Sequence, residues 1–194
     1  MPKQRITREM VINAGFEIAR KHGMEGVMVK TIADTIGCSV QPIYSYCQNM
    51  DSLRQEVAAK TSDFIRKYIG AHTEPKDLFR STGKAYIRLA EEEPHLFKIF
   101  ILHRRDSISS LQDLYEKETS PKVSEYIAEE LNISISQARQ LHLNMLIYTI
   151  GMGTIFAMTT PGIPLSEIHT QQELACQAFL AQILNQKEED FHGK

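Results

Sequence analysis

The stretch from Ser39 to Tyr46 concentrates side chains that can hydrogen-bond to the edges of nucleic-acid bases. Its polar members are Ser39, Gln41, Ser45 and Tyr46, and helical spacing predicts that the last three face outward. A helix about 10–12 Å wide fits a major groove of about 12 Å when its exposed face carries short donors and acceptors. A glutamine there can pair with adenine N6 and N7. The alternative for Gln41 and Ser45 is an inert, solvated surface.

Two short predicted helices place these side chains. Apolar spacing predicts a second helix over 29–36 that ends at Gly37, a residue suited to the left-handed conformation. Ser39 then caps a third helix, with Pro42 in the first turn, where its missing N–H does no harm. Two helices joined by the turn 37–39 match the helix-turn-helix plan, whose second helix enters the major groove. The same spacing puts four residues on the inner side of the third helix: Val40, Ile43, Tyr44 and Cys47.

The rest of the chain also follows helical periodicity. A first helix is predicted over about 7–22, and a fourth from Asn49 or Asp51 to about Ile69. A polar break follows, and further helices are predicted near 75–92, 95–103, 107–117, 121–131, 134–158 and 166–186. The prediction is an all-α chain with a helix-turn-helix domain at 1–50, a connecting helix at 51–70, and a second domain at 71–194.

The segment IADTIGCSVQPIYSYCQNMDSL resembles the DNA-binding signature of the TetR/AcrR family of bacterial regulators. The resemblance covers about residues 5–60. It implies an N-terminal three-helix helix-turn-helix domain and a larger C-terminal regulatory and dimerisation domain, about nine to ten helices in all. It also implies a repressor that binds a pseudo-palindromic operator on double-stranded DNA as a homodimer and is released by a small-molecule ligand. The residues at the family's spacing are Ile32, Ala33, Gly37, Ser39, Ile43, Tyr44, Asn49 and Leu53.

Carried over by position, Lys30 and Tyr44 resemble the family's phosphate-contacting residues. The alternative for Tyr44 is a core aromatic, because it neighbours Ile43 on the predicted inner side. The groove-facing positions correspond to Ser39, Val40, Gln41, Ser45 and Tyr46, and Asn49 completes the predicted DNA-binding set.

Two residues depart from the family's pattern. Met50 stands where a lysine usually lies near the phosphate backbone, which should lower the salt dependence of binding by about one phosphate contact. Val27 stands where a threonine usually caps the second helix. The basic residues that could compensate for the missing lysine are Arg5, Arg8, Lys30 and Arg54.

The predicted helix 134–158 is apolar nearly all round from Leu143 onward, and small residues lie along one of its edges. A helix of this kind is predicted to be buried on several sides, by its own domain and by a partner. Small residues let backbones approach closely, so this edge and helix 166–186 are predicted to form a four-helix dimer interface. The alternative is a single well-packed monomer core. The predicted interface residues are Gly151, Gly153, Ala157, Leu174, Ala178 and Ala181.

A cavity for a small apolar or amphipathic ligand is predicted among helices 75–158, where aromatic and thioether side chains recur. Stripes of this kind also form ordinary cores, which is the alternative for each residue. A second reading of the whole chain is a DNA-binding regulator controlled by a protein partner, with no small-molecule pocket. The predicted ligand-binding residues are Tyr86, Phe97, Phe100, Tyr126, Met145, Tyr148, Met152 and Phe156.

No enzymatic motif appears in the sequence, which lacks GxSxG, HExxH, a P-loop and GxGxxG. We therefore predict no enzyme and no catalytic residues. The histidines lack metal-ligand spacing; His95, His103 and His142 could approach one another, but solvated or core histidines fit better. Neither a metal nor a cofactor is predicted.

Charge and cysteine use agree with a DNA-binding cytoplasmic protein without deciding the matter. Residues 1–70 carry 10 Lys and Arg against 7 Asp and Glu, whereas the remainder carries 12 against 17. Three scattered cysteines, Cys38, Cys47 and Cys176, argue against a disulfide framework. The N-terminus lacks a secretory apolar run, and the most apolar stretch, 143–158, is shorter than the roughly 18–20 residues that span a bilayer. A cytoplasmic protein with no membrane partner is predicted.

Overall fold

Capping residues, glycines and prolines divide the chain into helices. The computed structural model describes residues 6–46, 49–103, 107–159 and 162–192, and for 186–192 the backbone alone. In these ranges the regular structure is helical, with one 3₁₀ turn at Met24–Gly26. The α-helices are α1 (Arg8–His22), α2 (Val29–Ile36), α3 (Val40–Tyr44), α4 (Met50–Ala71), α5 (Leu78–Glu92), α6 (Pro94–Ile101), α7 (Leu111–Glu118), α8 (Pro121–Leu131), α9 (Ile135–Met158) and α10 (Leu165–His192).

Side-chain caps begin several helices where the sequence predicts them. The Thr7 hydroxyl accepts a hydrogen bond from the Met10 N–H at 3.2 Å, and Asn49 Oδ1 accepts one from the Ser52 N–H at 2.8 Å. These bonds satisfy amide groups of the first turn, which have no partner within the helix. Gly37 ends α2 with φ 76° and ψ 39°, a conformation that costs glycine little. The predicted all-α fold is confirmed.

Two helices in the second half start later than predicted. The helix predicted at 75–92 begins at Leu78, because residues 74–77 form a turn. The helix predicted at 107–117 begins at Leu111, because the Ser110 hydroxyl accepts from the Asp113 N–H at 3.0 Å and so caps it. A local turn decides the start of α5 and a side-chain cap decides that of α7, rather than the periodicity of apolar residues.

Helix α2 begins without a capping side chain at its N-cap, which is Met28. Val27, predicted to stand at the cap position, lies one residue earlier and is fully buried, so that prediction is wrong. Thr31 supplies the missing hydrogen bond: its hydroxyl accepts from the Met28 N–H at 3.1 Å and donates to the Gly26 carbonyl at 2.7 Å. The valine therefore adds to the core while a threonine inside the helix stabilises its start.

A first hydrophobic core lies among α1, α2, α3 and the start of α4. Each of these helices contributes an almost wholly buried side chain: Val11, Ile32, Ile43 and Leu53. Burial of a side chain of this size contributes about 1.5–3 kcal/mol. This core holds α2 and α3 at a set angle on α1, which is the arrangement that a helix-turn-helix needs.

Helix α9 is the axis of the remaining structure and packs against α5, α6, α8 and α10. One core joins α5, α6 and α9 to Phe16 of α1 and Ile65 of α4. Another joins α8, α9 and α10 around Ile127 and Leu141. Since Phe16 belongs to α1, the helix-turn-helix and the second half of the chain share packed side chains. The division of the chain at residues 50 and 70 stays a prediction.

Helix α9 has 24 residues and is long and apolar enough to cross a membrane by length and composition. The apolar part of the helix is thus longer than the predicted stretch 143–158. A single helix of this kind also occurs in the core of soluble proteins, and it is no sign of a membrane protein. Met158 is 62% exposed, and Ile147 and Ile155 are also exposed, so one face of α9 is uncovered in the single chain.

Candidate DNA-binding surface and ligand cavity

The turn between α2 and α3 is held by backbone hydrogen bonds. The N–H groups of Gly37 and Cys38 both donate to the Ala33 carbonyl, at 2.9 and 3.0 Å. Ser39 follows as the N-cap of α3 in the extended conformation, as predicted, but its hydroxyl makes no capping bond. The serine is exposed, so its hydroxyl lies at the surface beside the start of α3.

Helix α3 buries Ile43 and exposes its other side. Gln41 and Ser45 are exposed, and the Ser45 hydroxyl donates to the Gln41 carbonyl at 3.4 Å. Val40 is exposed as well, so the inward position that helical spacing predicts for it is wrong. Tyr44 is 61% exposed, which contradicts the core alternative and leaves its hydroxyl at the surface. The short helix therefore presents two polar side chains, one aliphatic and one phenol on a single outer surface.

Tyr46 lies differently from its prediction. It is half-buried against the first core, and its hydroxyl donates to the Ile6 carbonyl at 2.7 Å. The prediction that Tyr46 faces outward with Gln41 is therefore wrong, because the ring ties the end of α3 to the residues before α1. Cys47, predicted on the inner side, lies outside the described residues.

The cations near this surface differ in availability. Lys30 is exposed on α2, whereas Arg8 already pairs with Glu56 at 2.8 Å. Arg54 is half-buried, and Arg5 lies outside the described residues. Met50, in place of the usual lysine, packs against the first core. Lys30 is thus exposed on the helix that precedes α3.

Asn49 lies at the surface, but its amide oxygen is already used. It caps α4 by accepting from the Ser52 N–H, and the Ser52 hydroxyl returns a bond to the Asn49 carbonyl at 2.9 Å. The structure therefore gives Asn49 a structural part in starting α4. A DNA contact by this residue stays a prediction.

A cavity of about 590 Å³ lies between α5, α6, α8, α9 and α10. Five of the eight predicted ligand-binding residues line it: Tyr86, Phe97, Phe100, Tyr126 and Met145. The other lining residues of α9 are His142, Leu146, Thr149 and Ile150. Together they form an apolar chamber, partly open to solvent, with a few polar groups.

Tyr148, Met152 and Phe156 do not line this cavity, so their predicted positions are wrong. Met152 and Phe156 lie past Ile150, the last α9 residue that lines the cavity, and both pack into the core shared with α5 and α6. Tyr148 comes directly before Thr149, about 100° around the helix from it. A continuous aromatic and thioether pattern along one helix thus divides between cavity and core.

The polar lining was missed from the sequence. Gly83 of α5 and Thr149 of α9 approach Gln172 of α10, which is buried, and Cys176 lies one turn further along α10. The available signals differ between the two helices. Thr149 interrupts the apolar face of α9, and Gln172 and Cys176 share one face of α10 at a spacing of four.

His142 takes part in a buried contact rather than a metal site. Its Nδ1 lies 3.0 Å from the Tyr115 hydroxyl, and Phe79 meets the imidazole edge to face. Burial lowers the pKa of His142 to about 4, so the ring is neutral at pH 7. His103 Nδ1 instead lies 2.7 Å from the Phe100 carbonyl. Among the described residues, no group of three or more histidine, cysteine or acidic side chains could hold a metal ion.

Two solved structures with a similar arrangement of helices are described as transcriptional regulators. A TetR-like transcriptional regulator from Rhodococcus sp. RHA1 superposes with a TM-score of 0.63 at 13% identity, covering 91% of this chain and 97% of its own. A transcriptional regulator from the same organism gives a TM-score of 0.55 at 14% identity, covering 93% and 97%. The chain has the TetR-like fold. No family model and no curated protein matches the sequence.

At 13% and 14% identity, the two structures show the arrangement of helices that this chain shares with them. In this fold the chain places α3 at the surface of the N-terminal core and the cavity among the later helices. The two features lie on different helices, so a link between them must pass through packed elements. Helices α1, α4 and α6 contact one another and supply that packing.

The predicted dimer residues divide between surface and core. Gly151, Leu174, Ala178 and Ala181 are exposed in the single chain. Gly153 is buried against Phe97 of the same chain, and a Cβ at this position would lie 2.5 Å from Phe97 Cζ. Ala157 is buried in the core that joins α5, α6 and α9. Gly153 and Ala157 therefore pack inside the chain, and the prediction for these two is wrong.

Proposed function

We propose that this chain is a transcriptional repressor that binds a pseudo-palindromic operator in double-stranded DNA. The observation that carries the proposal is the exposed face of α3, second helix of a helix-turn-helix in a TetR-like fold. Gln41 and Ser45 offer donors and acceptors to base edges, while Lys30 and the Tyr44 hydroxyl contact phosphates. Ser39 and Val40 flank these contacts at the start of α3.

The repressor acts as a homodimer through α9 and α10. Ile147, Gly151, Ile155 and Met158 form an exposed stripe along α9 at spacings of four, four and three. On α10 the exposed apolar residues Leu174, Ala178, Ala181 and Leu184 follow a similar spacing. Two such helices from each of two copies bury these stripes as a four-helix interface. A two-fold dimer then presents two α3 helices to two half-sites.

A small molecule in the cavity releases the repressor from DNA. Ligand pockets in proteins commonly measure about 300–1,000 Å³, and 590 Å³ lies within that range. A solid second half would instead favour control by a protein partner. The cavity supports the small-molecule mechanism, in which ligand binding lowers the affinity of a cytoplasmic regulator for its operator.

Selection of bound sequences from random duplexes, followed by fluorescence anisotropy, tests the operator proposal. We expect two half-sites about one helical turn apart and specific binding that weakens steeply with salt. Mixed-sequence DNA provides the control. Binding to mixed DNA as tight as to every selected duplex would refute sequence-specific regulation.

Sedimentation of the Ile155→Lys variant tests the dimer. Ile155 is exposed in the single chain, so lysine there is tolerated by the fold but places a charge in the proposed interface. We expect the wild type to sediment as a dimer and this variant as a monomer with unchanged helix content. Lysine at exposed Ala59 of α4, a helix outside the proposed interface, is the control, and a monomeric wild type contradicts the proposal.

A further inference from the structure

Gln172 is a buried amide whose oxygen has no partner. The residue is 3% exposed on α10 and lines the cavity. Its Nε2 donates to the Thr149 hydroxyl oxygen at 3.1 Å, while Oε1 has no hydrogen-bond partner in the described part of the chain. An unpaired buried acceptor is costly, because it has lost its bonds to water without replacement.

A glycine on the facing helix makes room for this amide. A Cβ at Gly83 of α5 would lie 2.5 Å from Gln172 Nε2 and 3.7 Å from Thr149 Oγ1. The amide thus lies between α5 and α9, with Nε2 close to Gly83 and hydrogen-bonded to Thr149. With Nε2 bonded to Thr149, the acceptor Oε1 is the atom of this amide that still lacks a hydrogen bond within the described residues.

The charged side chains at the cavity do not supply a matching ionic site. Arg80 and Lys84 line the cavity, and Arg80 Nε lies 3.5 Å from Glu173 Oε1. The guanidinium thus faces a carboxylate, but Nε makes no hydrogen bond within the described residues. Lys122 is exposed at the start of α8. His142 is neutral at pH 7 and contacts the Tyr115 hydroxyl. An anion would have to compete with Glu173 for Arg80, and it would lose its hydration in the apolar part of the cavity.

We propose that the cavity binds an uncharged, mainly apolar molecule whose hydroxyl or amide N–H donates to Gln172 Oε1. The apolar body packs against Phe97, Phe100 and Met145, where aromatic and thioether surfaces adapt to its shape. This inference rests on the proposed function for its regulatory meaning, but the binding step stands by itself. It assigns Gln172 as the residue that selects a donor.

Two isomeric probes isolate the donor. The probe n-octanol carries a hydroxyl, whereas heptyl methyl ether has the same atoms but can only accept a hydrogen bond. Isothermal titration calorimetry of the full chain should give about tenfold tighter binding of the alcohol, the ratio for one hydrogen bond of about 1.4 kcal/mol. Octanoate, the charged counterpart, should bind more weakly than the alcohol.

The variant Gln172→Met removes the acceptor and keeps a long side chain. We expect it to bind the two isomers within about twofold of each other, with its affinity for the ether close to that of the wild type. Gln171→Met is the matched control, because Gln171 is exposed on the same helix and does not line the cavity. That control should keep the tenfold preference. Circular dichroism of each variant checks that the fold is intact.

Each result decides the proposal. Equal affinities of the wild type for both isomers, no binding of either, or tightest binding of octanoate would overturn it. A preference that survives in Gln172→Met would also overturn the role of this residue. Operator binding measured on the same preparation separates the two proposals. If the wild type binds its operator specifically but shows no preference for the alcohol, this inference alone is refuted. If it prefers the alcohol but binds no DNA specifically, the proposed regulator is refuted.

Discussion

Replacing Arg20 with methionine should weaken the link between the helix-turn-helix and the second half of the chain. Arg20 Nε, on α1, donates to Oε2 and Oε1 of Glu93 at 2.8 and 3.0 Å, and Nη2 also donates to Oε1. Glu93 lies between α5 and α6. The hydrogen bonds to Glu93 raise the pKa of the Arg20 guanidinium, which stays charged at neutral pH.

The expected cost follows from burial. Two unit charges about 4 Å apart attract by about 4 kcal/mol at an effective dielectric constant of 20. The Arg20 side chain is 39% exposed and that of Glu93 only 11%, so solvent screens the pair in part while the carboxylate remains desolvated. Removing Arg20 leaves this carboxylate buried without its partner, and we expect a loss of about 2 kcal/mol. For a chain of this length, that loss lowers Tm by about 4–8 °C.

Urea denaturation followed by circular dichroism measures the effect. The control is Arg66→Met, because Arg66 pairs with Asp63 at 3.0 Å on α4 with both side chains exposed, and exposed pairs contribute about 0–1 kcal/mol. Glu93→Gln should cost less than Arg20→Met, since the arginine that it leaves behind can reach water. Equal midpoints for Arg20→Met and Arg66→Met would refute a structural role for the pair between the two halves.

Three further predictions concern separate parts of the molecule. Gln41→Ala should lower the free energy of DNA binding by about 1–3 kcal/mol at one operator base position. Lys30→Ala should weaken binding to all sequences alike and lower the slope of log K against log salt by about one. Equal losses for both variants on every sequence, measured by anisotropy, would contradict these roles. Gly153→Ala should destabilise by about 1–3 kcal/mol in urea, because its Cβ would lie 2.5 Å from Phe97 Cζ, while Gly70→Ala, with open space, should cost nothing. His142 should lower the free energy of unfolding by up to about 3 kcal/mol as the pH falls from 6.5 to 4. Its pKa in the folded chain is about 4, below the value in the unfolded chain, so the unfolded chain binds the proton first. His142→Gln should flatten that slope, and an unchanged slope rules out this histidine as its source.

The sequence predicts the helices and the turn well because caps and breakers act locally. Gly37 takes a positive φ and Asn49 caps α4, as their types and positions indicate. Such features depend on a few neighbouring residues, which the sequence displays directly. The exposed face of α3 follows from the same logic, since Ile43 alone of its residues is buried.

Contacts between distant residues were harder to predict. Tyr46 was expected to face outward, but it bonds to the Ile6 carbonyl, forty positions earlier. Gly153 looked like a dimer residue, but its missing side chain accommodates Phe97 of α6. Periodicity reports which face of a helix is apolar and says nothing of which neighbour covers that face. Both corrections arise from this limit.

The shared core explains how occupation of the cavity can alter the orientation of α3. Phe97 and Phe100 line the cavity from α6. The same helix begins directly after Glu93, which accepts hydrogen bonds from Arg20 of α1. On α1, Phe16 packs 5.5 Å from Phe64 of α4, and the Arg20 guanidinium lies 5.3 Å from the Phe64 ring. A ligand that displaces Phe97 or Phe100 must therefore disturb α6 against α1, on which α2 and α3 rest. If ligand and operator favour different arrangements of this contact, their coupling of typically 1–3 kcal/mol reduces operator affinity about 5- to 150-fold, and the operator weakens the ligand by the same factor.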